Sequence, residues 1–117
     1  MIQFYAYAKC STCRNAKKWL DANGAKYEAI NIAEDPPSAK ELRTIYEASG
    51  TELKKFFNTS GMKYRELGLK DKLGTMSEEE QLELLSSDGM LIKRPVAWDG
   101  EKVTLGFKEA DYENTWK

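Results

Sequence analysis

Apolar positions along the chain change their spacing several times, and each change marks an element. Ile2 to Ala8, "IQFYAYA", is apolar and aromatic and ends in a turn-like segment, which predicts a strand. From Thr12 to Asn23 the apolar residues Cys13, Ala16, Trp19 and Leu20 recur at helical spacing. Ser11 or Thr12 can cap that helix, and Gly24 supplies a stop after its last turn. Lys26 to Ile32, "KYEAINI", predicts a second strand, with Tyr27 and Ala29 alternating and Ile30 and Ile32 fitting less cleanly. A β-α-β unit of this length requires a crossover, so its two strands should be parallel.

After the break "AEDPPS", Ser38 with Glu41 three residues on predicts a capping box, a buried stripe of Leu42, Ile45 and Tyr46, and a stop at Gly50. Leu53, Phe56 and Phe57 mark a short helical piece, and "YRELGL" a helical turn. Ser77 with Glu80 predicts a second capping box, followed by Leu82, Leu84 and Leu85. The chain from about 38 to 88 is therefore expected to be mostly helical. Pro95 then precedes "VAW", and Asp99-Gly100 before "EKVTLGF" predicts a hairpin. "KEADYENTW" closes as a helix with Tyr112 and Trp116 on one side. The order is βαβ, a helical insertion, then ββα. No internal repeat, linker or low-complexity tract interrupts it.

Composition narrows the chemistry. The 117 residues fit one domain with one core. A formal net charge of -1 gives no broad electrostatic case for direct nucleic-acid binding. The N-terminus lacks the basic and long apolar regions of a signal peptide or a membrane span, so a cytoplasmic location and no membrane partner are the default expectations. No histidine is present, which removes Ser-His-Asp and Cys-His catalysis.

Cys10 and Cys13 are the only cysteines, spaced as CxxC in "YAKCSTCRNAKK". Half a zinc site is present, so a metal would have to be shared between two chains. Both residues can also be read as small apolar space-fillers, which suits Cys13 better than Cys10. Between a strand and a helix, however, CxxC reads as a thioredoxin-like redox motif. Helix N-terminal amides, with Lys9 and Arg14 near, would favour a thiolate at Cys10. Cys10 then attacks and Cys13, one turn in and more sheltered, resolves. "KRPVAW" leaves two readings open. A cis Arg94-Pro95 bond would bring Arg94 to the site; a plain strand start would leave it on the surface.

Together, "YAKCSTCRNAKKWL", "PPSAKELRTI", "YRELGL", "LIKRPV" and "VTLGF" resemble the arsenate reductase (ArsC) family, including its Spx/MgsR group of regulators. The resemblance covers nearly the whole chain and implies an α/β thioredoxin-like core with a mixed sheet, about 1–35 and 90–117. A helical insertion would occupy about 36–89. It implies Cys10 as nucleophile, Arg94 as an oxyanion contact beside a cis Pro95, and no bound cofactor. The substrate would be a small oxyanion or a disulfide, and glutathione with glutaredoxin, or thioredoxin, would serve as external thiol donor. Two further arginines of the family's oxyanion site are missing. Asn58 stands near one place, with Lys54, Lys55 and Lys63 the nearest cations. Gly106 and Phe107, then Lys108, stand near the other. Lysine supplies charge without the bidentate fork of arginine. The Spx likeness implies instead a disulfide switch that binds the RNA polymerase α subunit, with Gly50 and Arg94 as contacts. Gly50 is equally explained as a helix C-cap.

Overall fold

The computed structural model describes residues 1–117. Its order is β1 (Ile2–Ala6), α1 (Ser11–Ala22), β2 (Tyr27–Asn31), α2 (Ala39–Ser49), α3 (Met62–Glu66), α4 (Leu69–Lys72), α5 (Glu78–Ser87), β3 (Val96–Trp98), β4 (Val103–Leu105) and α6 (Glu109–Trp116). Short 3₁₀ turns lie at Leu53–Phe56, Leu73–Thr75 and Gly89–Leu91. The four strands form one mixed sheet in the order β2-β1-β3-β4. β1 and β2 are parallel, while β3 runs antiparallel to both β1 and β4. This is the α/β thioredoxin-like arrangement expected, with helices 2 to 5 inserted between its halves. No helix is long and apolar enough to cross a membrane.

Strand alternation sends side chains to two different cores. Ile2, Phe4 and Ala97 pack with Ala16, Trp19, Leu20 and Tyr112 beneath α1 and α6. Tyr5 and Val96 point the other way, into a larger cluster with Ile32, Leu42, Ile45, Phe56, Leu85 and Ile92 of the insertion and its flanks. The second strand is less regular than its sequence suggests. β2 is an edge strand, where Ala29 is exposed and Ile32, beyond the strand's end, is fully buried.

Two local expectations are corrected. The first strand ends at Ala6, and Tyr7 to Cys10 form a turn closed by the Cys10 N–H donating to the Tyr7 carbonyl at 3.1 Å. At Ser38 the capping box is only half made. Ser38 Oγ accepts the Glu41 N–H at 3.1 Å, but the Glu41 carboxylate accepts the Tyr5 hydroxyl at 3.1 Å instead of the cap's backbone. Burial, and then the Glu41 charge, push the Tyr5 hydroxyl up to about 12, so it stays protonated as the donor. The full box forms at Ser77 and Glu80. The hairpin expected at Asp99-Gly100 does form, joining antiparallel β3 and β4. Asp99 Oδ1 holds its turn by accepting the N–H groups of both Glu101 and Lys102, at 2.9 and 2.8 Å.

The insertion is fastened at both ends by tight packing. An added Cβ at Gly89 would stand 1.8 Å from the Ile32 carbonyl oxygen. Gly89→Ala should therefore lower unfolding stability by about 1–3 kcal/mol in urea titration, since backbone must shift to admit it. Tyr5→Phe, which breaks the bond from central strand to α2, should cost about 1 kcal/mol in the same measurement.

Candidate functional site

The turn after β1 delivers Cys10 as the N-cap residue of α1. This corrects the expectation that Ser11 or Thr12 would cap. Cys10 is extended (φ -91°, ψ 114°), and its sulfur accepts the Cys13 N–H at 3.3 Å. Ser11 and Thr12 are exposed and leave that amide to the sulfur. An amide that would otherwise lack a partner at the helix start is thus satisfied by the thiol itself.

Cys10 is half-buried, while Cys13 is 3% exposed, and both are free thiols. Burial works against ionisation of Cys10. It is outweighed by hydrogen bonding from Cys13 and by the positive charge of Arg94, so the Cys10 pKa lies below the ordinary thiol value. Cys13 goes the opposite way. Burial, then its hydrogen bond with Cys10, push it up to about 12. The two sulfurs are therefore unlike: one is a half-buried cap residue whose ionisation is favoured, and the other a buried thiol whose ionisation is opposed. No cluster of three or more His, Cys, Asp or Glu side chains is arranged to hold a metal ion.

Arg94 stands across from the sulfur. The Arg94-Pro95 bond is cis. Arg94 Nη1 donates to the carbonyls of Met90 at 3.1 Å and Ile92 at 3.4 Å, and the guanidinium lies 5.8 Å from the centre of the Tyr7 ring. Its Nε is buried without a partner. Cys10 and Arg94 line one cavity of about 270 Å³. Asn58, Gly106, Phe107 and Lys108, the residues near the places of the two missing arginines, line it as well. The cations that remain are Arg94, Lys93 and Lys108.

Other expected residues fall elsewhere. Lys9 and Arg14 do not line the cavity, and Arg14 instead braces the turn by donating to the Ala8 carbonyl at 3.2 Å. Lys54 and Lys55 line a neighbouring groove, and Lys63 pairs with Asp88 at 3.9 Å. Gly50 caps α2 in the left-handed region (φ 65°) and is not part of the cavity wall. Sequence reasoning passed over Lys93 and Tyr7. Lys93 lies beside Arg94 in "KRP", and an added Cβ at Gly106 would come within 3.0 Å of Lys93 Cε, so the glycine leaves room for that lysine. Tyr7 carries no sequence mark of its place under the guanidinium.

Comparison with known proteins agrees with this geometry. The ArsC family model matches residues 5–115. A Bacillus subtilis protein, the uncharacterized YusI, is 66% identical, with 98% of each chain covered. The regulatory protein MgsR of the same organism is 26% identical over 94% of this chain and 86% of its own. A crystal structure of a Streptococcus mutans protein described as a possible arsenate reductase is 52% identical, covers 97% of this chain and 98% of that one, and superposes with a TM-score of 0.89. With the family model spanning all but the ends of a chain that carries CxxC at a strand-to-helix cap, this protein belongs to the ArsC family.

Proposed function

We propose that this chain is a thiol-disulfide oxidoreductase in which Cys10 is the nucleophile, Cys13 the resolving thiol and Arg94 the contact that steadies charge at the reacting sulfur. The observation that carries the reading is the Cys10 sulfur acting as acceptor at the start of α1, with Cys13 buried one turn further in. A thiolate held by fixed donors is ready for attack, and a neighbour that keeps its proton does not compete with it.

The sequence of steps follows from that asymmetry. Cys10 thiolate attacks a sulfur of the substrate disulfide; a Cys10–substrate bond forms and the other substrate sulfur leaves as a thiolate. Cys13 then loses its proton and attacks Cys10 Sγ, releasing the second substrate thiolate. The substrate has gained two electrons and the Cys10–Cys13 pair has lost two. A dithiol donor such as thioredoxin, or glutathione with glutaredoxin, returns them. Burial favours the protonated Cys13 thiol once the pair is reduced, so the donor enters at the more accessible Cys10 sulfur.

A small oxyanion is the other substrate class for this site. Arg94, Lys93 and Lys108 supply charge around the cavity. Only Arg94 has a guanidinium fork, and its Nη1 is engaged by two carbonyls. Directed recognition of a tetrahedral dianion is correspondingly weaker, which favours disulfide over arsenate. The likeness to MgsR supports a second reading, a redox-switched regulator of RNA polymerase through its α subunit. The exposed, open surroundings of Gly50 suit such a contact. The inward-turned, half-buried Arg94 does not.

Coupled NADPH oxidation tests the proposal, with thioredoxin and its reductase or with glutathione, glutaredoxin and glutathione reductase. Disulfide-dependent turnover should be lost in Cys10→Ser, and Cys13→Ser should accumulate a mixed disulfide visible by mass. Equal turnover in Cys10→Ser would refute the assignment, and faster turnover with arsenate than with disulfides would move the substrate to the oxyanion class.

The rate of Cys10 alkylation by iodoacetamide in Cys13→Ser should rise with pH through a midpoint below the ordinary thiol value of about 8.5. Arg94→Gln should move that midpoint upward, because the charge that favours the thiolate is gone. An unchanged midpoint would remove Arg94 from the reacting centre.

A further inference from the structure

Lys93, Leu105 and Lys108 line two cavities at once, the one at Cys10 and a larger one beside it. The second is an open groove of about 810 Å³ against about 270 Å³ at the sulfur. It lies between the Leu53–Phe56 turn on one side and β4 with α6 on the other. Lys54, Lys55, Lys93 and Lys108 face it, opposed only by Glu52 and Asp111. None of these four lysines belongs to an ion pair, as the pairs present are made by Lys17, Lys63, Lys102 and Lys117. A chain of formal net charge -1 has thus gathered free positive charge next to its reactive sulfur.

The groove also holds a free sheet edge. β4 is the last strand of the sheet and pairs only with β3. The Asp99 N–H donates to the Lys102 carbonyl, and the Gly106 N–H to the Pro95 carbonyl. Antiparallel bonding alternates, so Lys102, Thr104 and Gly106 face β3, while the backbone groups of Val103 and Leu105 face outward. Val103, Thr104 and Leu105 all line the groove, and Leu105 continues into the Cys10 cavity. Unpaired strand edges accept an extended peptide as an additional strand.

We infer that this groove docks an extended acidic polypeptide segment along β4 and presents its disulfide sulfur to Cys10. Carboxylates of the segment meet the lysines, and its backbone meets Val103 and Leu105. The inference rests on the proposed redox role of Cys10 and names the substrate class: a cysteine of an acidic protein segment rather than a small oxyanion. Cys10 displaces the segment's disulfide partner as a thiolate and forms a mixed disulfide. Cys13 then closes on Cys10, releasing the segment as a thiol, and an external dithiol reduces the pair.

The test uses Cys13→Ser, which stops at the mixed disulfide, with peptides that carry a central cysteine as its 2-pyridyl disulfide. Attack releases pyridine-2-thione, which is followed by absorbance. A peptide with glutamates on both sides should react at least about 10-fold faster than its glutamine counterpart at low salt, and the ratio should fall as salt rises. The ratio should move toward one in Lys54→Gln/Lys55→Gln, and backbone N-methylation at alternate positions of the acidic peptide should slow it. Equal rates for acidic and glutamine peptides, with Cys10 still reacting, would overturn the groove assignment and leave the redox role standing. A cysteine flanked by one glutamate on each side reacting as fast as the longer acidic peptide would overturn the added strand in favour of a small acidic thiol. Failure of Cys10 to react with any probe would remove both readings.

Discussion

The molecule depends on one hydrogen bond at a helix start. The Cys13 N–H needs an acceptor, and the Cys10 sulfur is the one supplied. Position, acidity and accessibility of the sulfur follow from that requirement. The extended conformation that places it as a cap also turns the chain out of β1. A sulfur drawn into a disulfide is a poorer acceptor than a thiolate. The start of α1 is therefore better satisfied in the reduced protein, and under the proposed redox role that preference would favour reduction of an oxidised Cys10–Cys13 pair.

The sheet turns that local event into a stable site because it is covered on both faces. Trp19 and Tyr112 hold α1 and α6 together, with ring centres 5.4 Å apart at near right angles. On the other face the insertion packs as one body, and the Tyr5–Glu41 bond joins it to β1. The cavity opens where these layers meet at the end of β1. One wall is the cap of α1, one the segment before β3, and one the β4–α6 connection.

Much of this was legible in sequence because periodicity and caps are local. The α1 stripe of Cys13, Ala16, Trp19 and Leu20 is the buried face, and the Ser77–Glu80 box forms as the spacing indicates. The Glu41 side chain was misread because its true partner, Tyr5, lies 36 residues away, and no local rule registers a competing long-range acceptor. Cys10 as the cap was missed for a chemical reason: hydroxyls and carboxylates dominate the usual capping set, and two hydroxyl residues followed it directly. Lys93 escaped notice because its place is set by the lack of a side chain at Gly106. The charged groove was invisible for a similar reason, since its lysines come from three separate segments that only folding brings together.

The two carbonyls that hold Arg94 belong to Met90 and Ile92, at the end of the insertion. That segment is pressed onto the core by Gly89 against Ile32. The charge facing Cys10 is thus anchored to the insertion rather than to the strand that follows it. If that segment loosens while the cap of α1 stays intact, the guanidinium loses its anchor and the sulfur loses one of the influences that lower its pKa. The chemistry of the sulfur is thus tied to the packing of a segment that lies outside the four-stranded sheet.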